Sequence, residues 1–289
     1  MILIPISVFI FGAIIGSFLN VVILRLGTGV GINGYSFCFS CRKELKWYEL
    51  IPILSFFLQR GRCRKCYSKI SWQYPIVEML TGLVFLLIFN FSAIGGPALG
   101  WQFIINIAYY WLIFSILIVI AVYDFRHKII PDKLVWLFVL LSLFSFLFRV
   151  NSLDIRAYLL LLDNILAGIA LSLPLALIWL LSKGRLMGLG DAKLALGIGF
   201  LLGLSKGIVA FVLSFWIGAI FGIILIILSR LFRATFFRNF RRKGVYLRGY
   251  PHLSASSEIP FGPFLILSTF LVFLFDLDLI SFLSLFVRQ

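Results

Sequence analysis

Long apolar segments with few charged residues fill most of this sequence and constrain its fold more than any other feature. A helix that crosses a bilayer needs roughly 20 mostly apolar residues. Seven segments meet that requirement: residues 2–24, 76–93, 103–123, 134–150, 157–181, 207–229 and 262–286. Only 13% of the residues are charged, about half the roughly 25% usual for a soluble domain. Soluble, disordered and collagen-like chains are therefore excluded, and an all-α polytopic membrane protein is predicted.

The distribution of basic residues predicts how these segments cross the membrane. A short Gly-rich segment at about 194–205 is an eighth candidate span. If all eight cross with residue 1 outside, the inner loops 25–75, 124–133, 182–193 and 230–261 hold 22 of the 26 Lys and Arg residues. Cytoplasmic loops carry such an excess of basic residues. We therefore predict about eight transmembrane helices with both termini outside, and the net charge of +15 requires no nucleic-acid partner.

All four cysteines lie in the first predicted inner loop, as two Cys-x2-Cys pairs. The pairs are Cys38 with Cys41 and Cys63 with Cys66. This spacing is typical of zinc ribbons, in which two tight turns supply four thiolates to one tetrahedral metal ion. Two disulfides, which would need an oxidising compartment, and redox chemistry at the Cys-x2-Cys pairs are the alternatives. We predict a structural zinc site that stabilises a cytoplasmic loop.

Two aspartates lie at the predicted cytoplasmic ends of apolar segments, where a carboxylate suggests function. Asp124 ends the third segment, and Asp191 opens the sixth in the motif Gly188-Leu189-Gly190-Asp191. Two carboxylates that meet at a dry interface cannot both ionise easily, so one keeps a proton while the other can activate water. The glycines before Asp191 would let a substrate backbone approach closely. The pair predicts aspartic protease chemistry, although an aspartate can also cap a helix.

Ordered motifs along nearly the whole chain resemble those of the bacterial prepilin peptidases, which are also called type IV leader peptidases. They are membrane aspartic proteases of the GxGD class. The matching motifs are Gly16-Ser17-Phe18-Leu19-Asn20, Cys38-Phe39-Ser40-Cys41, Gly61-Arg62-Cys63-Arg64-Lys65-Cys66, Ile70-Ser71-Trp72-Gln73-Tyr74-Pro75, Asp124 with Ile130-Pro131-Asp132, Gly188-Leu189-Gly190-Asp191-Ala192-Lys193 and Ile259-Pro260-Phe261-Gly262-Pro263-Phe264.

The resemblance implies an enzyme that removes the basic leader of type IV prepilins or type II secretion pseudopilins after a glycine. It implies Asp124 and Asp191 as catalytic residues, with Gly188, Gly190 and Lys193 in support. Many members then methylate the new N-terminal amine with S-adenosylmethionine. Candidate residues for that second reaction are Asn20, Glu49 and Glu78.

The expected organisation has three parts: a first transmembrane helix at 1–24, a cytoplasmic four-cysteine domain at 25–75, and a membrane-embedded peptidase domain at 76–289. The protein is expected in the bacterial inner membrane, with the lipid bilayer and prepilins as its partners and with the active site at the cytoplasmic face. A peptidase without methyltransferase activity is the first alternative. A transporter with Asp163 and Asp191 on an ion path, and a scaffold that binds partners through the zinc loop, are the others.

Overall fold

The structure, a computed structural model, describes residues 3–29, 31, 34–95, 100–148, 155–241 and 260–287. Its regular structure is helical, and the only β-pairing in the described residues is two isolated bridges. The first five helices are α1 (Leu3–Arg25), α2 (Leu54–Leu58), α3 (Gln73–Gly95), α4 (Trp101–His127) and α5 (Asp132–Leu143). The other five are α6 (Ile155–Ser182), α7 (Leu189–Leu202), α8 (Leu204–Arg241), α9 (Gly262–Phe275) and α10 (Leu279–Val287). The all-α prediction is confirmed for this part of the chain.

Five described helices are long and apolar enough to cross a membrane: Leu3–Arg25, Gln73–Ser92, Trp101–His127, Tyr158–Ser182 and Leu204–Leu228. The protein is therefore a multi-pass membrane protein, in agreement with the prediction. The three remaining predicted spans are shorter or interrupted. The segment 134–150 changes from α5 to a 3-10 helix at Phe144, and the helix predicted at about 194–205 ends at Leu202. Arg149 and Arg288, which the predicted topology puts on the outer side, and the basic stretch 242–259 lie outside the described residues.

Local backbone geometry explains two of these interruptions. Gly203 ends α7 with a φ of 77°, a left-handed conformation that glycine adopts without steric cost, and α8 begins at the next residue. Asp276 ends α9 in the left-handed region with φ 52° and ψ 41°. The prediction of one continuous helix over 262–286 is therefore wrong, because α9 and α10 are separate helices joined by a short turn.

The chain divides into two compact units. Unit 1 comprises Met1–Tyr123 and Pro131–Leu162, and unit 2 comprises Asp124–Ile130 and Asp163–Gln289. The three-part division proposed from the sequence follows different boundaries and stays a prediction.

Close packing of α1 against α3 organises unit 1. Gly12 and Gly16 form a Gly-x3-Gly pattern on α1, and a Cβ atom at these positions would lie 2.9 Å from Gly82 Cα and 2.8 Å from Glu78 Cα. Small residues at this spacing let two membrane helices approach closely. The contact brings the polar end of α1 beside the start of α3, where the loop that holds the cysteines rejoins the helices.

Unit 2 is built from α7, α8, α9 and α10, together with most of α6. Aromatic pairs join α8 to the beginning of α9: the ring centroids of Phe215 and Phe261 are 4.8 Å apart, and those of Phe221 and Phe264 are 5.3 Å apart. Asp163 on α6 accepts a hydrogen bond from the backbone N–H of Leu204, the first residue of α8, at 3.2 Å. That bond gives Asp163 a helix-capping role.

Candidate active site and metal centre

The two predicted catalytic aspartates lie in the same unit and are both buried. Asp124 lies near the end of α4 with 4% of its surface exposed, and Asp191 lies in the first turn of α7 with 8% exposed. Their carboxylates are close enough for their charges to interact. Two helix ends that are 67 residues apart in sequence therefore bring their acidic side chains to one site, as aspartic protease chemistry requires.

The backbone at the end of α4 turns so that the chain remains beside Asp124. Lys128 adopts a φ of 55°, and its N–H donates to the Asp124 carbonyl oxygen at 2.7 Å. This left-handed residue ends the helix, and the following residues lead to Ile130. A Cβ atom at Gly190 would lie 2.8 Å from Ile130 Cβ. Gly190 therefore has to be a glycine so that α7 can pack against this turn.

Gly262, the first residue of α9, completes the site. Its backbone N–H interacts with the Asp124 carboxylate. A Cβ atom on Gly262 would lie 2.6 Å from Asp124 Oδ2 and 3.3 Å from Ile130 Cδ1, which is too close to the carboxylate oxygen for any residue except glycine. Pro263 follows in the first turn of α9, where its missing N–H and fixed φ are compatible with a helix start.

One carboxylate oxygen of the pair has no hydrogen-bond partner in the described part of the chain. Gly188 precedes α7 and is exposed, whereas Asp191 is buried. Asp191 Oδ1 is buried and accepts no hydrogen bond from any described residue. A buried acceptor without a hydrogen-bond partner is costly, and in a candidate active site it is the atom that a bound water molecule or substrate group would satisfy. Lys193 lies on α7 two residues after Asp191 and is half-buried.

Sequence reasoning did not identify Gly262 and Ile130 as site residues. Both lie in motifs that match the prepilin peptidase pattern, so the resemblance contained a signal for them. The contact between Gly262 and Asp124 cannot be read from local spacing, because the two residues are far apart in sequence.

The four cysteines come together in unit 1. Their Sγ atoms all lie within 4.8 Å of one another, and the Cys38 and Cys66 sulfurs are 3.8 Å apart. A tetrahedral metal with metal–sulfur bonds of about 2.3 Å separates its sulfur ligands by about 3.8 Å. All four are free thiols. The donor set and its spacing therefore fit one zinc ion.

The two cysteine turns are built alike. In the first, Arg42 donates its backbone N–H to the Cys38 carbonyl oxygen at 2.8 Å, and in the second Tyr67 donates to Cys63 at 3.0 Å. Arg42 and Tyr67 share a φ of 58°. Each turn is closed by one of the isolated bridges, Phe37 with Glu44 and Arg62 with Lys69. Two equivalent turns that face each other produce the four-sulfur cluster.

Hydrogen bonds favour the thiolate form of one cysteine in each turn. Burial raises the pKa of Cys38, but the backbone N–H groups of Cys41 and Ser40 outweigh it and lower that pKa to about 6. The side chain and backbone of Ser68 lower the pKa of Cys66. The backbone N–H of Lys43 lowers the pKa of Cys41, but burial and the neighbouring cysteines outweigh it and raise that pKa to about 11. Thiolates are the form that binds a metal, and a bound metal would favour the thiolate of Cys41 as well.

The three candidate methyl-transfer residues lie in unit 1 in two different surroundings. Asn20 is fully buried on α1, and its Nδ2 donates to the Tyr74 carbonyl oxygen at 3.2 Å. Glu78 on α3 accepts a hydrogen bond from the Ile53 backbone N–H at 2.7 Å and another from Ser17. Both therefore belong to a polar cluster at the crossing of α1 and α3.

Glu49 lies instead in the four-cysteine loop, where cationic and backbone donors surround it. Lys43 Nζ approaches its two carboxylate oxygens at 2.9 and 3.0 Å, and the Lys46 backbone N–H donates to Oε2 at 3.0 Å. Burial raises the pKa of Glu49, but these two donors outweigh it and leave that pKa below its usual value. These contacts stabilise the loop next to the first cysteine turn.

Two family models match the chain. Residues 10–91 match the bacterial peptidase A24 N-terminal domain, and residues 111–223 match the type IV leader peptidase family. The second match includes Asp124 and Asp191, and the first includes all four cysteines. No solved structure is significantly similar to the chain.

Relatives in several bacteria have corresponding names. The chain is 33% identical over 202 residues to a prepilin leader peptidase/N-methyltransferase of Klebsiella pneumoniae, covering 66% of this chain and 82% of that protein. It is 34% identical over 195 residues to the protein of that name in Bacillus subtilis strain 168, covering 66% and 71%. A Myxococcus xanthus protein of the same name is 38% identical over 130 residues, covering 45% and 36%.

These matches and the buried aspartate pair put the chain in the class of membrane-embedded aspartic peptidases. The chain belongs to the type IV leader peptidase family.

Proposed function

We propose that this protein is a membrane aspartic endopeptidase that removes the leader of type IV prepilins or type II secretion pseudopilins after a glycine. The observation that carries the proposal is the buried pair of Asp124 and Asp191 in one unit, inside the segment that matches the family model. The names of the relatives support the same substrate class. Family membership argues against the transporter and scaffold alternatives.

The proposed reaction uses the aspartates as one unit. One carboxylic acid donates a hydrogen bond to the scissile carbonyl oxygen, while the other carboxylate accepts a proton from the attacking water. The water oxygen bonds to the carbonyl carbon, the peptide C–N bond then breaks, and the leaving amine takes up the proton that the pair received. The two roles are shared by the pair, since interacting carboxylates titrate together. The Gly262 N–H orients Asp124, and the unpaired Asp191 Oδ1 is the acceptor that the water or the substrate would satisfy. The exposed Gly188 side gives the polypeptide backbone access, and Lys193 contributes positive charge on the same helix.

We further propose that unit 1 carries N-methylation of the new N-terminal residue. S-adenosylmethionine supplies the methyl group, and the polar cluster with Asn20 and Glu78 positions the loop in which the reaction takes place. Glu49 stabilises the same loop through Lys43. The thiolates of Cys38, Cys41, Cys63 and Cys66 would hold a structural zinc ion that fixes this loop. The relatives' names, which include an N-methyltransferase, support this second activity.

We place the protein in the bacterial inner membrane with about eight crossings, an additional four-cysteine domain at 25–75, and both activities at the cytoplasmic face. The excess of Lys and Arg in loops 25–75 and 182–193 supports this orientation. Its partners are the bilayer and the prepilin, whose polar leader and apolar helix meet at the same interface.

Mass spectrometry of the products tests both activities. Purified protein in detergent is incubated with a prepilin and S-adenosylmethionine, beside the Asp191→Asn variant. Loss of the leader mass with the wild type alone supports the peptidase, and a further gain of one methyl group supports the transferase. Cleavage without that gain favours the peptidase-only alternative. Folded, metal-loaded protein that cleaves no prepilin would contradict the proposed function.

A further inference from the structure

The short helix α2 in the four-cysteine loop exposes an apolar face. Leu54, Phe57 and Leu58 are spaced at i, i+3 and i+4, which puts them on one side of the helix. They are 61%, 54% and 73% exposed, whereas Phe56 is 7% exposed and faces the other side. A loop domain that was surrounded only by water would not gain from presenting three large apolar side chains together.

Trp72 connects this face to α3. Its ring centroid lies 6.3 Å from that of Phe57 and 4.8 Å from that of Phe56. The Ile76 N–H donates to the Trp72 carbonyl oxygen at 3.2 Å, so the helical turn of α3 already includes Trp72. Trp72 is itself 61% exposed, and its ring therefore continues the apolar face of α2 to the first turn of α3.

The same apolar surface continues along α3. Residues 72, 76, 79, 80 and 83 follow helical spacing and share one face. Their exposed fractions are 61% for Trp72, 58% for Ile76, 43% for Met79, 44% for Leu80 and 43% for Leu83. Because α3 is long and apolar enough to span a membrane, this exposed apolar face of α3 is one that lipid would cover. The exposed apolar side of α2 thus continues a lipid-facing surface. Trp72 lies at the junction of the two, and tryptophan prefers the membrane interface.

Basic residues accompany the apolar face. Arg60 is exposed two residues after α2, and Arg62, Arg64, Lys65 and Lys69 are exposed in the turn that follows. Residues 25–75 contain nine Lys and Arg residues against two glutamates. Apolar side chains beside basic residues are the composition that binds the surface of an anionic bilayer.

We propose that Leu54, Phe57, Leu58 and Trp72, which we call the α2 face, insert into the headgroup region of an anionic membrane and hold the four-cysteine domain against it. The occupant is lipid rather than a protein helix, because the face continues a lipid-facing surface and has basic residues beside it. A domain anchored at both α3 and α2 keeps a fixed height above the membrane, where a substrate N-terminus would emerge.

Site-specific photocrosslinking in the full-length, zinc-loaded protein tests this proposal. A benzophenone amino acid replaces Leu58 on the α2 face or, as a matched control, Trp47, which is 77% exposed elsewhere in the same loop. The proteins are reconstituted in nanodiscs of phosphatidylcholine with or without phosphatidylglycerol and analysed by mass spectrometry. We expect lipid adducts at position 58 and few at position 47. Equal yields at the two positions, or position-58 adducts only to added prepilin, would overturn the proposal.

Two substitutions separate the apolar and electrostatic contributions. Leu54→Glu should lower lipid crosslinking at position 58 by at least about tenfold, the factor that corresponds to burial of one leucine side chain. Arg60→Gln should reduce the preference for phosphatidylglycerol nanodiscs by up to about fivefold, as expected for one basic residue at an anionic surface. Zinc content verifies that each variant is folded. Unchanged crosslinking in folded Leu54→Glu would contradict insertion of the α2 face.

Discussion

Buried carboxylates occur in both units, but their surroundings differ. In unit 1, Lys43 and Lys46 donate to Glu49, and Ile53 and Ser17 donate to Glu78. In unit 2, Asp191 is buried to a similar extent, yet its Oδ1 has no partner in the described part of the chain and its neighbour is a second carboxylate. Burial alone therefore does not identify a catalytic acid. The informative combination is burial with an unused acceptor and a like charge nearby.

The strongest test of this comparison is a substitution of Asp191, the aspartate whose Oδ1 has no partner in the described part of the chain. Asp191→Asn should lower the rate of leader cleavage by about 10²- to 10⁴-fold, the usual contribution of a general acid or base. The rate is measured from the leader mass released per unit time. Asp163→Asn in the same unit is the matched control, since its amide oxygen can still accept from Leu204. If Asp191→Asn cleaves at the wild-type rate, an unused acceptor beside a second carboxylate does not distinguish a catalytic acid from the hydrogen-bonded carboxylates of unit 1.

The next largest effect is expected at the glycine that touches Asp124. Gly262→Ala places a methyl group where a Cβ lies 2.6 Å from Asp124 Oδ2, so the carboxylate must move. A misplacement of about 1 Å can cost about 10²-fold in rate. The control is Gly218→Ala, whose Cβ would lie at an ordinary 3.5 Å from Phe264. If the two alanine variants cleave prepilin equally fast, Gly262 does not position the carboxylate.

Removal of the metal should reduce the activity proposed for unit 1 much more than the activity proposed for unit 2. Cys63→Ser removes one of four ligands, so we expect loss of bound zinc and of methyl transfer. Leader cleavage by unit 2 should fall by less than about tenfold, because a structural zinc site stabilises mainly the loop that binds it. Zinc content and both product masses are measured on one sample. Ser68→Ala removes a hydroxyl 3.1 Å from Cys66 Sγ but no ligand, and should retain the metal. Equal loss of both activities in Cys63→Ser would contradict the separation.

The smallest effect on cleavage is expected at Glu78. Its carboxylate holds the N–H of Ile53, a β-branched residue with a φ of 62° and ψ of −56°. Glu78→Gln keeps an acceptor there, so thermal stability and both activities should stay near wild type. Glu78→Ala leaves the N–H unsatisfied and should cost about 1–3 kcal/mol of stability. A glutamine variant of normal stability that no longer methylates would show a chemical role for the carboxylate and break the comparison.

Motifs that depend on short spacing could be predicted from the sequence, and contacts between distant segments could not. The Cys-x2-Cys pairs predicted the four-sulfur cluster because each pair forms its own turn. Asp124 and Asp191 were predicted as a pair from their places at the ends of apolar segments, and the structure buries both in one unit, while their catalytic role stays a prediction. The Gly262 contact needs α9 to return to the end of α4, which no local pattern specifies.

The helix interruptions were missed for a related reason. Hydrophobicity reports the length of an apolar segment, whereas a single left-handed residue such as Asp276 ends a helix inside it. The donors around Glu49 also come from the folded loop. Whether a carboxylate is structural or catalytic therefore cannot be decided until its hydrogen-bond donors are known.

The contact between Asp124 and Gly262 also has a consequence in time. Ribosomes deliver a chain from its N-terminus at roughly 5–20 residues per second, so Asp124 and Asp191 enter the membrane before Gly262 exists. The nascent chain then contains both acids without the backbone N–H that orients the first. The oriented aspartate pair can therefore form only after α9 has been synthesised, so order of synthesis separates the appearance of the two acids from completion of their site.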